Sequence, residues 1–267
     1  MQLGAPRNFA ARAASDLLVE PDGRFELRLG GPASAGNWLP LDPDARWLLV
    51  REYFADWERE EPASLAIERI GGKTPQGVAR ANEFASAGEW VARTVRFWNE
   101  WVAELRAAYV PGKLAPARRY EGGADDILYG NDWFALGPDE ALVVECDVPD
   151  ARYWAFQLVD PCFRSLDWAN AQTSLNHAQA RVDADGRVRV VVAHRDPGVA
   201  NWLDTTGLDA GVFQYRFIWT RTTPQPTARV VRVDAVGAEL PHAARASAAD
   251  RASMRAMRRR HAARRSG

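Results

Sequence analysis

The sequence predicts a mainly β protein, a jelly-roll-like antiparallel β-sandwich with a helical insertion. The first observation is a series of short β-branched and aromatic segments, of which 141–148, 152–159, 212–219 and 228–233 are the clearest. The second is one stretch, residues 74–108, in which apolar residues recur every three or four positions, as they do along a helix. Roughly seven to nine strands separated by Gly- and Pro-rich turns are typical of two packed sheets.

The N-terminal part contributes three further predicted strands. Residues 24–30 form a short strand that leads into a loop of Gly, Pro and Ser. Residues 46–54 have a continuous apolar centre, which suits a central strand, and residues 64–70 alternate apolar with polar side chains. We therefore expect one β-sandwich domain over residues 1–240, followed by a basic Ala/Arg-rich tail at 241–267.

The helical insertion carries one apolar stripe and ends before Pro111 and Gly112. We expect this stripe to face the core, because an amphipathic helix buries its apolar side. A stripe this rich in aromatic residues could instead wall an apolar cavity. The residues expected on the core-facing side are Trp90, Val91, Val95, Trp98, Val102 and Leu105, and those that could wall a cavity are Trp90, Phe97, Trp98 and Trp101.

Charge is distributed unevenly along the chain. The net charge is -1, but eight arginines follow Pro241 against one acid, Asp250, so this end carries about +7 and the remainder about -8. An acidic body argues against a nucleic-acid-binding core. We expect the basic end to be solvated and partly helical; contact with RNA, an acidic lipid surface or the body itself are the alternatives.

The two cysteines, Cys146 and Cys162, are too few for a disulfide framework. The first residues lack the apolar centre of a signal peptide, and no apolar run is long enough to span a membrane. The expected location is the cytoplasm, where both thiols stay reduced. Cys146 lies in the pattern of a strand and is expected to have a packing role.

A strong hairpin signal, Asp-Ala-Asp-Gly, ends at Gly186. A three-residue loop with Gly186 in the left-handed region places Val182 opposite Val188 and collects the small and β-branched residues on one face. Extending the same ladder places Asn176 opposite His194. Because one face of a strand pair must be buried, we favour this register.

The alternative is a two-residue turn, which places His177 opposite His194. It mixes Arg181 and Asp183 with the apolar residues, so it is less favourable. A pair of histidines suited to a metal therefore requires the disfavoured register. No spacing in the chain matches a metal motif, and the sequence predicts neither a metal site nor an organic cofactor.

The candidate catalytic residues cluster after the predicted hairpin. His194 is the best general acid or base, because imidazole exchanges a proton near neutral pH. Asp196 could orient it, Asp204 or Asp132 could supply a second carboxylate, and Arg195 could hold an anionic group. The competing interpretation is a rigid, self-capped loop beside a core histidine bonded to its strand neighbour.

The expected function is binding of a small, partly apolar molecule in a pocket at one end of the sandwich, with acid/base transformation of that molecule as a further expectation. The alternatives are a non-catalytic carbohydrate- or ligand-binding module, and an adaptor recruited through its basic tail. Ligand contacts are expected from Asn176, Arg195, Asn201, Trp202, Trp168, Trp133 and Asp132; stacking on sugars would use Trp57, Trp133, Trp168 and Trp202.

The segment HRDPGVANWLDTTG (194–207), together with residues 165–188, resembles the conserved domain called domain of unknown function 1214. Residues 36–70 and 127–160 resemble other parts of the bacterial proteins that carry this domain, so the likeness covers most of residues 24–235. The resemblance implies a jelly-roll-like β-sandwich with helical insertions. It implies no established reaction, cofactor or catalytic residue, and members are often longer at the N-terminus.

Overall fold

The main core of the protein lies between two four-stranded β-sheets. The structure, a computed structural model, describes residues 7–71, 80–120, 123–124 and 126–266. The chain forms two compact units, and both sheets belong to the second. The first unit comprises Met1–Arg51 and Tyr120–Asp125, and the second comprises Glu52–Arg119 and Asp126–Gly267.

The first unit is mostly irregular chain. Its regular elements are a 3-10 turn at Ala14–Asp16 and two short strands, β1 (Arg28–Leu29) and β2 (Trp38–Leu39), which pair in parallel. The Asn37 side chain accepts a hydrogen bond from the Leu18 N–H at 2.7 Å and donates one to the Leu18 carbonyl at 2.8 Å. The strand predicted at 24–30 is therefore reduced to two residues.

The described residues of the second unit form eight further strands in two sheets. The first sheet has the order β3-β9-β5-β6 and the second the order β10-β4-β7-β8. All neighbours are antiparallel except β7 and β8, which are parallel. The strands are β3 (Ile127–Ala135), β4 (Glu140–Asp147), β5 (Ala151–Val159), β6 (Ser174–Asn176), β7 (Arg187–Ala193), β8 (Trp202–Asp204), β9 (Ala210–Thr220) and β10 (Thr227–Arg232).

Alternation along these strands assigns one face of each sheet to the shared core. Phe156 and Phe213 from the first sheet meet Val190 and Val192 from the second there. Cys146 also faces this core, where burial raises the pKa of its thiol to about 12. The thiol is therefore protonated and inert, which agrees with the packing role expected for a strand residue.

The mainly β fold with a helix is confirmed, whereas the jelly-roll connectivity is not. The parallel β7–β8 pair makes the second sheet mixed rather than antiparallel. The strands predicted at 46–54 and 64–70 are wrong, since the described residues 46–70 form no strand. Their apolar side chains are largely exposed and no neighbouring strand pairs with them there, so alternation alone did not produce a ladder.

The predicted three-residue hairpin loop is confirmed at its tip. Val182 and Val188 form a bridge, and Gly186 has a φ of 77°, the left-handed value that a Cβ disfavours. The extension of that ladder is wrong: β6 pairs with β5 rather than with β7, so Asn176 lies opposite Ala155 and not opposite His194. The chain leaves the ladder beyond Val182.

The described part of the second unit also contains three α-helices, α1 (Arg80–Ala107), the single turn α2 (Val236–Glu239) and α3 (Ala248–Ser266), and a 3-10 helix at Val233–Ala235. The second half of α1 packs on the outer face of the first sheet, and α2 covers the outer face of the second. The start of the predicted insertion, residues 74–79, lies outside the described residues. None of the described helices combines the length and the apolar character that a membrane span needs.

Helix α3 occupies the basic end and packs against the second unit. Arg251 donates to the carbonyls of Val199 and Ala200, and Arg258 donates to those of Trp168 and Ser174. The expectation of a solvated end is therefore wrong for this face of the helix, because arginine can satisfy several buried carbonyls at once. The division into one domain, 1–240, and a tail, 241–267, stays a prediction.

Candidate functional site

His194 follows β7 and continues the core-facing side of that strand. Its Nε2 lies 3.2 Å from the Leu136 carbonyl, and its Nδ1 lies 2.9 Å from the Thr205 hydroxyl. Because a carbonyl only accepts, Nε2 carries the proton and Nδ1 accepts from Thr205. Both ring nitrogens are therefore occupied within the protein, as expected for a core histidine, although the partner is not Asn176. The acid/base role of His194 stays a prediction.

Two carboxylates lie at the same end of the second sheet. Asp204 is paired with Ala193 across β8 and β7, and burial, together with the charge of Asp196, raises its pKa. Asp196 accepts two hydrogen bonds of 2.9 Å from the Arg251 guanidinium. Burial opposes ionisation of Asp196, but the bonds from Arg251 and from the Gly198 N–H outweigh it and lower its pKa.

The other polar residues of this loop also have partners in the protein. Arg195 pairs with Asp139 at 2.7 Å on the surface. The buried Asn201 amide accepts from the Arg181 N–H at 2.7 Å and donates to the carbonyls of Arg181 and Arg189. The indole of Trp202 donates to the Ala193 carbonyl. The loop is therefore self-capped: its polar side chains bond the backbone groups of the protein and hold the loop in place.

Asn176 and Trp168 lie at a different place, beside β6 and α3. The Asn176 amide donates to the carbonyls of Phe54 and Ala55 at 2.8 and 3.0 Å. Trp168 contacts Trp57 edge to face, with an angle of 82° between the rings. The two rings are therefore not coplanar and cannot stack on the same face of a sugar. The Arg258 guanidinium also covers the face of Trp57.

Trp133 and Asp132 lie on opposite faces of β3. Trp133 is buried under α1. Asp132 faces inward, where its Oδ1 accepts from the Ala115 N–H at 2.7 Å. Burial raises the pKa of Asp132 to about 6, against the smaller opposing effect of that bond. The structure thus brings together His194, Asp196 and Asp204 and separates them from Asn176, Trp168, Trp133 and Asp132.

A cleft of about 440 Å³ opens on the outer face of the second sheet, and none of those predicted residues lines it. One wall comes from β4, β7 and the turn that precedes β7, and the other from the segment after α2. The lining residues are Glu145, Asp183, Ala184, Asp185, Arg189, Glu239, Leu240, Pro241, His242 and Ala243.

Arg189 is the centre of the charged wall. It donates to Glu145 at 2.9 Å, to Asp183 at 2.6 Å and to Asp185 at 2.6 Å. The Arg189 bond lowers the pKa of Asp185 to about 2. Burial works against ionisation of Glu145, but hydrogen bonds from Arg229 and Arg189 lower its pKa overall. Asp185 and Glu145 are therefore charged at neutral pH.

The connected ion pairs leave an excess of negative charge at the cleft. Arg187 pairs with Glu145 and Asp147, and Arg229 pairs with Glu145 and Glu239. With the Arg189 pairs, five carboxylates meet three guanidinium groups, which leaves two net negative charges. The protein interior on one side of the cleft has a low dielectric constant, so the excess negative charge attracts a cationic ligand more strongly than it would in water.

Sequence reasoning missed this cleft, although one signal was present. Glu145 and Arg189 are charged residues within two mostly apolar strands, and they lie directly opposite each other in the β4–β7 ladder. Cross-strand pairs of opposite charge are recognisable only when the register is known. The register predicted from the sequence paired β7 with residues 176–182. In that register Arg181, and not Glu145, lies opposite Arg189.

Comparison with known proteins identifies the region that forms this wall. Residues 137–221 match the family model described as "Protein of unknown function (DUF1214)". These residues are a DUF1214 domain. The match confirms the resemblance drawn from residues 165–207, and it adds no reaction or ligand.

The chain is also similar to proteins of solved structure. An uncharacterised protein from Burkholderia cenocepacia matches with a TM-score of 0.77 and 36% identity, over 83% of this chain and 64% of that one. This chain therefore spans a little under two thirds of the length of that relative. The VPA0106 protein from Vibrio parahaemolyticus matches at a TM-score of 0.33 and 14% identity, over 58% of this chain and 47% of that one. No curated protein matches.

The cleft combines the DUF1214 domain with the chain that follows it. Glu145, Asp183, Asp185 and Arg189 belong to the matched residues, whereas 239–243 lies beyond them. Within the described residues, no three His, Cys, Asp or Glu side chains are placed to hold a metal ion together. The carboxylates of the cleft are engaged by arginine instead.

Proposed function

We propose that the DUF1214 domain of this protein is a binding module for a small organic cation, held in the cleft between β7 and the segment after α2. The observation that carries the proposal is a cavity of ligand size whose charged wall belongs to an ion-pair network with two net negative charges. An amine or guanidinium group would neutralise that excess. The proposal narrows the expected small molecule to a cationic one.

The carboxylates differ in how much of each is open to a ligand. The side chains of Asp185 and Glu239 are 49% and 43% exposed, whereas those of Glu145 and Asp183 are 14% and 5% exposed. Glu145 and Asp183 therefore hold Arg189 from behind, while Asp185 and Glu239 present oxygen atoms toward the cleft. Leu240 forms part of the apolar wall against which a short carbon chain would pack.

Binding without chemistry is the better-supported function. The imidazole of His194 lies outside the cleft, and both of its nitrogens are hydrogen-bonded within the protein. A carbohydrate module has less support, because Trp57 and Trp168 meet edge to face and Trp133 is covered by α1. An adaptor role would be limited to the outward face of α3.

Isothermal titration calorimetry with putrescine and spermidine tests the proposal. We expect binding of both amines and none of succinate or glucose, matched in concentration. The double variant Asp185→Asn, Glu239→Gln should weaken amine binding at least tenfold, about 1.4 kcal/mol, because it removes the two exposed carboxylates. Asparagine keeps the side-chain oxygen that accepts from the Arg187 N–H, so the turn is preserved.

Asp147→Asn is the matched control, because it also removes one acid from the ion-pair network but lies outside the cleft lining. It should change amine binding less than threefold. Binding of succinate in place of the amines, or equal losses in the control and the double variant, would contradict the proposal.

A further inference from the structure

We propose that residues 111–118, which we call the strap, are a pH-sensitive cover that closes one side of the sandwich in acid and loosens at neutral pH. At one end of the strap, a Cβ built on Gly112 would lie 3.5 Å from the Cα of Arg229 in β10. At the other end, Arg118 and Tyr129 of β3 exchange two backbone hydrogen bonds of 2.9 Å. Because β10 and β3 are edge strands, the strap crosses from an open edge of one sheet to an open edge of the other.

The strap covers apolar side chains between the two sheets. Its Leu114 and Ala117 pack against the main core, and its described residues form no helix and only one isolated bridge. Beneath it lies a cavity of about 10 Å³, whose lining includes Leu114, Phe134 and Leu142. That volume is too small for any ligand while the strap is closed. A segment of this kind can open locally at a lower cost in free energy than unfolding of the whole protein.

Two core side chains hold the middle of the strap at Ala115. Asp132 accepts a hydrogen bond at its Oδ1 from the Ala115 N–H at 2.7 Å. The Tyr215 hydroxyl donates to the Ala115 carbonyl at 2.7 Å. A longer bond of 3.4 Å joins the Gln225 amide to the carbonyl of the neighbouring Leu114. Both backbone polar groups of Ala115 are thus fixed from the core, so the closed position depends on Asp132 and Tyr215.

The sequence Tyr-Gly-Asn-Asp-Trp of β3 explains how both groups reach Ala115. Tyr215 lies directly opposite Gly130 in the β3–β9 ladder. A Cβ at position 130 would lie 2.0 Å from the Tyr215 ring, so only glycine lets that ring lie across β3. Asp132 is two residues further along β3 and therefore shares the face of Gly130. This spacing places a hydroxyl and a carboxyl group beside the same residue of the strap.

The carboxyl group of Asp132 is the titrating part of this clamp. Its Oδ2 is buried and has no hydrogen-bond partner among the described residues. Ionisation in such a place is costly, and burial raises the pKa of Asp132 to about 6, against the smaller opposing effect of the Ala115 bond. Tyr215 is the titratable neighbour on β9, with its hydroxyl bonded to Ala115. The charged residues of the strap, Lys113 and Arg118, are exposed.

Ionisation of Asp132 is therefore linked to opening of the strap. Opening brings the carboxyl group into water, where its pKa returns toward the ordinary 3.8. The closed form binds the proton more tightly, so it is favoured in acid and loses that advantage as the pH rises through 6. With these two pKa values, the equilibrium constant for opening should increase about tenfold between about pH 5 and pH 8.

Hydrogen–deuterium exchange of the full chain, corrected for the intrinsic exchange rate at each pH, tests the inference. The protection of peptides that cover 113–118 should fall about tenfold between the two pH values, whereas that of β4 and β7 should change less than about threefold. An equal fall in β4 and β7 would mean global unfolding instead of local opening. That result, or strap protection that does not depend on pH, would overturn the inference.

Three variants assign the effect to the clamp. Asp132→Asn keeps an oxygen for the Ala115 N–H but cannot ionise, so its strap should be equally protected at both pH values. Asp209→Asn removes a carboxylate that is 90% exposed and, as the matched control, should keep the pH dependence of the parent. Tyr215→Phe removes the second bond but not the titration, so strap protection should fall at both pH values while their ratio stays the same.

Tyr215→Phe also tests the clamp if Asp132→Asn does not fold. Unchanged strap protection in Tyr215→Phe would show that the hydroxyl does not hold the strap. A pH dependence that persists in Asp132→Asn would show that another group controls it. Either result would overturn the inference.

Discussion

Residues 84–93 of α1 are exposed, whereas the arginine-rich helix α3 contains Arg258 and His261, which are among the most completely buried side chains of the described residues. Phe84 in α1 is 74% exposed. Composition alone would assign these two regions the other way round. The difference is that α3 lies along the edge of the sandwich, while no described sheet or helix of the second unit lies beneath residues 84–93.

The buried arginines of α3 are placed by helix geometry. Arg251 and Arg258 are seven residues apart, two helical turns, and so lie on one face. Their donors reach carbonyls next to β8 and in β6, the edge strands of the two sheets. Edge strands present unpaired backbone groups that need covering. The guanidinium groups of α3 donate several hydrogen bonds each to those backbone carbonyls. An apolar helix has no side-chain donors for them.

The largest expected effect is from Arg258→Ala. This variant leaves the Trp168 and Ser174 carbonyls without a donor and opens a void beside Trp57, so the free energy of unfolding should fall by about 3 kcal/mol. Arg259→Ala is the matched control: Arg259 is exposed and bonds the Asn170 side chain, so about 0.5 kcal/mol is expected. Urea denaturation measures both, and equal losses would mean that α3 is not integrated in the fold.

The next effect is on the pH dependence of stability. Burial, followed by the charges of Arg265 and Arg264, lowers the pKa of His261 to about 4 from its ordinary 6.5. Between these values the unfolded chain binds a proton that the folded chain does not, so acidification favours unfolding. The stabilisation by the neutral ring is complete above pH 6.5 and is lost as the pH falls toward 4.

His261→Phe keeps the stack on Trp57, whose ring lies 4.5 Å away, and removes the titration. The parent should lose about 2 kcal/mol relative to this variant between about pH 7 and pH 4.5 in parallel urea titrations. His242→Gln, an exposed control, should show the same pH dependence as the parent. Parallel curves for the parent and His261→Phe would contradict a lowered pKa of His261 in the folded protein.

The smallest expected effect on the free energy of unfolding is from a substitution in the exposed part of α1. Val95→Ala should change the free energy of unfolding by less than about 0.5 kcal/mol in dilute solution, because Val95 is 53% exposed. Val102→Ala, seven residues along the same stripe, should cost about 2 kcal/mol, because Val102 is buried against Trp133. Thermal unfolding compares the two variants. A large effect at Val95 would place that residue in the core.

Local rules predicted the parts of the fold that local geometry controls. The φ of 77° at Gly186 and the Val182–Val188 bridge follow from turn chemistry within a few residues. The strands over 141–148 and 152–159 were predicted from their β-branched and aromatic residues, and they form because neighbouring strands pair with them. Residues 46–54 have as strong a β pattern, and they failed because a strand needs a neighbour that pattern cannot supply.

The candidate site was predictable only in part, for the same reason. His194, Asp196 and Asp204 are close in the chain and remain close in the fold, so their grouping needed no long-range information. The Glu145–Arg189 wall of the cleft joins residues 44 positions apart through a register between β4 and β7. Neither the alternation nor any motif in the two strands predicts which charged residue of β4 lies opposite which charged residue of β7.

The sequence by itself determined the fold class, the hairpin tip, the helical period of α1 and the family of residues 137–221. Tertiary structure alone decided which apolar stripe is buried, which arginines lose their solvent and where the carboxylates converge. Propensity, turn chemistry and periodicity act over a few residues, whereas burial and ion pairing depend on which distant segment arrives beside a side chain.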